Sequence, residues 1–67
     1  MLTIAVQLRL ALQDQQWHER PALVDGVEGY AAAAVEAVLA RMVANGQVEQ
    51  DATAPLARYR VASRLRR

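Results

Sequence analysis

The chain has 67 residues, enough for one domain and close to the lower limit at which a single apolar core holds a fold together. It has no cysteine and one histidine, so disulfides and a structural zinc site are excluded as stabilising elements. The formal net charge is only +1, but residues 1–51 hold three arginines and seven acidic residues, whereas residues 52–67 hold five arginines and no acid. We therefore expect residues 62–67 to form a basic tail suited to an anionic partner.

The first predicted element, Leu2 to Gln13, alternates apolar and polar residues and on that period fits a strand. Its composition and the N-cap residue Thr3 favour a helix instead. A helix places five residues on one face: Ile4, Ala5, Leu8, Ala11 and Leu12. Its opposite face, with Leu2, Val6 and Leu10, is then a candidate dimer interface, unless other parts of the chain cover it.

The same segment has no basic leader and no small-residue cleavage pattern, so it does not resemble a signal peptide. No run approaches the ~20 apolar residues that span a bilayer. We expect a soluble, cytoplasmic protein that does not bind membranes.

The middle of the chain predicts a turn, a short strand and two helices. The polar residues before Trp17 indicate a turn, and a strand of two or three residues follows around Trp17 and His18. Pro21 fits the first turn of a short helix, PALVD, which Gly26 can end in a left-handed conformation. A long helix then runs from about Tyr30 to Asn45 and is closed by Asn45 and Gly46.

The remaining elements predict a hairpin. Segments 47–50 and 58–61 space Val48, Tyr59 and Val61 for one buried face. The loop DATAPLA, which contains Pro55, separates them.

The stretch WHERPALVDGVEGYAAAAVEAVLARMVANGQVEQ, followed by RYRV, resembles a winged helix-turn-helix domain. The resemblance implies a mostly α fold with a small β-hairpin, in which three helices and a two- or three-stranded wing sheet form a single domain over residues 1–67. It also implies that the long helix lies in the DNA major groove while the wing contacts the backbone or minor groove. The base-reading positions that it implies are Tyr30, Ala33, Glu36 and Ala37.

A helical wheel of the long helix predicts an apolar inward face: Ala31, Ala32, Val35, Val38, Leu39, Met42 and Val43. The predicted outward face consists of Tyr30, Ala33, Ala37, Ala40, Arg41 and Ala44, with Glu36 at its border. The stripe of Ala33, Ala37, Ala40 and Ala44 is compatible with a solvated face, with close approach of another helix, or with DNA. Base readout needs donors and acceptors that alanine lacks.

DNA affinity would therefore depend on phosphate contacts. The candidate residues are Arg58, Arg60, Arg64, Arg66 and Arg67, with Arg41 and Arg20 as helpers and Tyr30 at the helix start. Strand alternation puts Arg58 and Arg60 on the solvent face. Their alternative role is a cross-strand pair with Glu49 or Asp51.

No catalytic constellation or cofactor motif is present in the sequence. His18 has no second histidine or cysteine to complete a metal site or a nucleophile pair, and the three glycines do not form a phosphate-binding loop. We therefore expect no enzyme activity and no cofactor. The leading hypothesis is an accessory or transcriptional regulator that binds double-stranded DNA through phosphates, and the alternative is a protein-interaction module, including a homodimer, on the same scaffold.

Overall fold

The computed structural model describes residues 2–53 and 55–62. Within these residues the chain forms three helices and one three-stranded antiparallel sheet. The elements, in chain order, are α1 (Ile4–Leu12), β1 (His18–Glu19), α2 (Arg20–Gly26), α3 (Ala32–Ala44), β2 (Val48–Asp51) and β3 (Arg58–Val61). The sheet order is β1-β3-β2, so the last strand lies between the other two. This arrangement confirms the mixed architecture of helices and a small sheet.

The N-terminal segment is a helix, and its interpretation as a strand is wrong. The Thr3 hydroxyl accepts a hydrogen bond from the Val6 amide at 3.2 Å, which caps the helix as predicted. Ile4, Leu8 and Leu12 are buried at a spacing of four residues. Ala11, predicted on the same face, is exposed. The apolar pattern fits the period of a strand as well as that of a helix. The Thr3 cap and the helix-forming residues favour the helix.

The α2 helix begins as predicted but ends differently. Pro21 occupies its first turn. Gly26 is its last residue and does not have a positive φ, so the predicted left-handed end at Gly26 is wrong. The chain instead leaves α2 through extended Val27, which is buried, and turns at Gly29 with φ 89°. Burying Val27 requires the chain to continue toward the core before it turns.

The long helix α3 starts later than predicted and closes as predicted. It begins at Ala32, and Ala31 is an N-cap without a side-chain hydrogen bond. At its end Gly46 has φ 80°, its amide donates to the Val43 carbonyl, and the Gln47 amide donates to the Met42 carbonyl. This pair of bonds is the Schellman motif, which needs a residue that tolerates positive φ.

The core lies where the three helices meet the inner face of the sheet. Its buried residues are Ile4, Leu8, Leu12, Leu23, Val27, Val35, Leu39, Met42, Val48 and Tyr59. Val38, Val43 and Val61 are half-buried and pack against it. Ala31 and Ala32, predicted inward, are exposed because burial in α3 starts only at Val35. No helix in the described part of the chain is long and apolar enough to cross a membrane.

Candidate functional site

The outward face of α3 is a smooth surface of alanines. Its central stripe, defined as Ala33, Ala37, Ala40 and Ala44, is exposed along the whole helix, as the wheel predicted. At 1.5 Å per residue the 13-residue helix is about 20 Å long. Methyl groups give this face no hydrogen-bonding capacity, so it can make close contacts but cannot read polar edges.

Tyr30 does not lie on this face of α3. It precedes the helix, with its side chain partly exposed, and its hydroxyl donates to the Leu2 carbonyl at 3.3 Å. The position implied for base reading therefore connects the loop before α3 to the start of the chain.

Two arginines flank the alanine stripe. Arg41 projects from one side of α3, about 120° from its core-facing direction, whereas Glu36 projects from the other side. Arg20, at the start of α2, lines the same concavity as Glu36 and Ala40. Arg20 and Arg41 are exposed, and within the described residues neither forms an ion pair. The stripe thus has Arg41 on one side and, on the other, Arg20 near the carboxylate of Glu36.

The arginines of β3 have a different environment, because the register of the sheet places carboxylates beside them. Asp51 lies opposite Arg58 and Glu49 opposite Arg60. The Nη2 atom of Arg58 donates to Asp51 Oδ2 at 2.7 Å, and that of Arg60 donates to Glu49 Oε1 at 2.8 Å. The two arginine side chains are about two-thirds buried, and both form the cross-strand pairs that were the alternative interpretation.

Trp17 forms the second part of this arrangement, which we call the Trp17–arginine stack. The guanidinium carbon of Arg60 lies 4.4 Å from the Trp17 ring centre, and that of Arg58 lies 5.7 Å away. Both distances are within the range of cation–π attraction. The Nε atoms of the two arginines are buried and have no hydrogen-bond partner among residues 2–53 and 55–62, which is consistent with guanidinium planes packed against an aromatic surface.

The carboxylate at the end of this surface is held in its ionised form. The hydroxyl and amide of Thr53 both donate to Asp51 Oδ1, and Arg58 donates to Oδ2. These hydrogen bonds, with those from Thr53 the larger cause, lower the pKa of Asp51 from 3.8 to about 2. The Asp51–Arg58 pair therefore persists well below neutral pH.

His18 lies in β1, as predicted, and has a structural partner. Its Nε2 atom lies 2.9 Å from Asp14 Oδ1, which also accepts from the Gln16 amide. The bond to His18, followed by that from Gln16, lowers the pKa of Asp14. Among the described residues no group of three or more acidic or histidine side chains is placed to hold a metal ion.

The outer face of α1 remains partly uncovered. Leu2 is 51% exposed and Leu10 is 49% exposed, whereas Val6 is half-buried. On one side of this face the Gln7 amide group joins α1 to the loop before α3. Its Nε2 donates to the Leu2 and Glu28 carbonyls, and its Oε1 accepts from the Glu28 amide.

The described residues carry less positive charge than the whole chain. They contain five arginines and seven acidic residues. Three predicted phosphate-binding residues, Arg64, Arg66 and Arg67, lie outside the described residues. A basic surface on this protein therefore depends strongly on its C-terminal arginines.

Sequence reasoning missed two of these features. The Trp17–arginine stack needs the pairing of β1 with β3, which joins residues about 40 positions apart. The Gln7 bonds to Glu28 similarly span 21 positions. Neither has a local sequence signal.

Comparison of this chain with protein-family models, with curated proteins and with solved structures found no significant match.

Proposed function

We propose that this protein is a winged helix-turn-helix domain that binds double-stranded DNA mainly through phosphates. The order helix, strand, helix, helix, hairpin and the central position of β3 support the winged-helix interpretation. The observation that carries the functional proposal is that Arg20 and Arg41, on either side of the exposed alanine stripe, have no ion pair in the part of the chain that the structure describes.

A smooth helix between two cations suits a groove between two phosphate backbones. The major groove is about 12 Å wide and admits an α-helix. With α3 in that groove, the alanines allow close approach and touch at most thymine methyl groups, while Arg20 and Arg41 reach phosphates on its two sides. We therefore expect low sequence specificity and affinity that depends on salt.

The arginines of β3 have a smaller part in this proposal than in the hypothesis from the sequence. Arg58 and Arg60 already have carboxylate partners, so a phosphate must displace Asp51 or Glu49 to bind them. The expected phosphate-binding set is Arg20, Arg41, Arg64, Arg66 and Arg67. Five contacts predict a slope of log K against log salt of about −4.5, or roughly a 500-fold loss of affinity between 50 and 200 mM salt.

Fluorescence anisotropy with a labelled 20-base-pair duplex tests the proposal. Titrations at four salt concentrations give the slope, and two duplexes of unrelated sequence should bind within a few-fold of each other. A flat salt dependence, or no binding at low salt, contradicts the proposal.

The second candidate function is a protein-interaction module, favoured by the exposed Leu2 and Leu10 and by the excess of acidic residues in the described part. Its contact surface is the alanine stripe or the Leu2, Val6 and Leu10 face, and its partner is another protein or a second copy. If the contact surface is the alanine stripe, Ala37→Arg, on the exposed face of α3, should abolish the partner contact without unfolding the domain. Under the DNA proposal the same change should leave duplex binding unchanged or strengthen it.

A further inference from the structure

An apolar groove with acidic residues in its lining lies between α2, α3 and the segment that precedes β3. It has a volume of about 340 Å³. Its apolar lining comes from Pro21, Val24, Leu56 and Ala57, and Leu56 is 48% exposed. An exposed leucine beside a proline and a half-buried valine is apolar surface that a partner side chain can cover.

Two carboxylates without ion pairs also line this groove. Asp25 comes from the end of α2 and Glu36 from α3, and neither forms an ion pair within the described residues. Arg20, which also lines the groove, leaves the lining with one negative charge in excess. The chemistry that fits is an apolar side chain flanked by cations.

The chain itself contains such a segment. Residues 64–67 read RLRR, a single leucine between arginines. We propose that the groove binds this C-terminal segment of a second copy, with Leu65 against Leu56 and Val24 and the neighbouring arginines beside Asp25 and Glu36.

Chain length favours a second copy over the same molecule. Ala57 and Ala62 flank the extended strand β3. They are five residues apart, so their Cα atoms lie roughly 16 Å from each other. Leu65 is three residues beyond Ala62 and reaches at most about 11 Å from it. The Leu65 backbone therefore stops several ångströms short of Ala57 in its own molecule. Contact between the tail of one copy and the groove of another gives a closed dimer where two copies exchange tails reciprocally, and rings or open chains where the contact runs from one copy to the next.

A peptide titration tests the groove. The probe is the acetylated peptide of residues 62–67, added to the ¹⁵N-labelled full-length chain and followed by ¹H–¹⁵N correlation spectra. We expect saturable shifts at residues 24–25, 36 and 56–57. A peptide carrying Leu65→Ala should bind about tenfold more weakly, since it loses a large part of one leucine side-chain burial.

Matched protein variants separate the acidic residues of the groove from general electrostatics. Glu36→Gln should weaken peptide binding about two- to fivefold, whereas Glu28→Gln, the same charge change at an exposed glutamate outside the groove, should leave it unchanged. Equal weakening by both variants, equal binding of the Leu65→Ala peptide, or shifts confined to residues outside the groove each overturn the proposal.

Sedimentation equilibrium of the full-length chain tests the assembly. The average mass should rise with concentration to that of a dimer or a larger assembly, and Leu65→Ala in the chain should return it toward a monomer. A monomer up to millimolar concentration, or a dimer insensitive to Leu65→Ala, overturns the proposal. Both experiments contain no nucleic acid, so their outcome is independent of the proposed function. If that function also holds, duplex competes with the groove for the same arginines.

Discussion

The arginines beside α3 and the arginines of β3 show how differently one residue type can be used in a small domain. Arg20 and Arg41 are exposed and have no ion pairs within the described residues, with alanines between them. Arg58 and Arg60 each have a carboxylate directly across the strand pair and a shared tryptophan beneath them. The number of arginines therefore does not measure the positive potential of a surface. That potential depends on whether the fold places a carboxylate directly across from each arginine.

The largest expected effect comes from removing the unpaired arginines. In the double variant Arg20→Gln, Arg41→Gln, the slope of log K against log salt should become shallower by about 1.8. The affinity for duplex at 0.1 M salt should decrease roughly 60-fold. The same anisotropy titrations measure both quantities. Arg9→Gln is the one-charge control for each single variant, Arg20→Gln and Arg41→Gln, which should each make the slope shallower by about 0.9. Arg9 is exposed and lies on α1.

An equal loss in the control would mean that net charge, and not the two positions, determines duplex binding. That outcome would remove the distinction between the arginines beside α3 and arginines elsewhere on the protein.

Breaking the Trp17–arginine stack should affect stability and not duplex binding. Trp17 is half-buried, so Trp17→Ala should lower the free energy of unfolding by about 2 kcal/mol, less than for a fully buried tryptophan. Urea unfolding followed by circular dichroism measures this change. Trp17→Phe keeps an aromatic ring against the guanidinium groups and should cost less than about 1 kcal/mol. Equal losses in the two variants would show that an aromatic ring at this position stabilises the arginines neither by packing nor by cation–π attraction.

The sequence was sufficient for features that depend on neighbouring residues. The Schellman end of α3 at Gly46, the Thr3 cap and the bounds of β3 all follow from local patterns. Local patterns failed at Gly26, because the turn position depends on burying Val27 in a core formed by distant segments. They also left Arg58 and Arg60 with two alternatives, because periodicity gives the face of a strand but not the residues across from it.

Removing the carboxylate partner of Arg60 should leave this arginine without its ion pair, as Arg20 and Arg41 are in the described residues. Glu49→Gln removes the carboxylate that holds Arg60 and should cost about 0.5–1 kcal/mol of stability, as for partly exposed ion pairs. The released guanidinium then becomes available to phosphate, so the salt slope of duplex binding should steepen by about 0.9. Glu28→Gln removes the same charge from an exposed loop and should leave the slope unchanged. If the two variants give the same slope, Arg60 stays on Trp17 without its carboxylate.

Acid should break the Asp51–Arg58 pair only at very low pH. The pKa of Asp51, about 2, lies below its usual value of 3.8, so the folded state favours the ionised carboxylate. Its contribution to stability is present in full above pH 3.8 and is lost as the pH falls toward 2. We expect the urea midpoint of the unmodified protein to decrease across this window, and Asp51→Asn to make that decrease shallower. Asp14 also has a lowered pKa and contributes to the same decrease, so Asp14→Asn serves as the comparison for a carboxylate outside the sheet. Parallel curves of urea midpoint against pH for the unmodified protein and Asp51→Asn, between pH 4 and 2, would contradict this prediction. They would show that the hydrogen bonds from Thr53 and Arg58 do not lower the pKa of Asp51 in the folded protein.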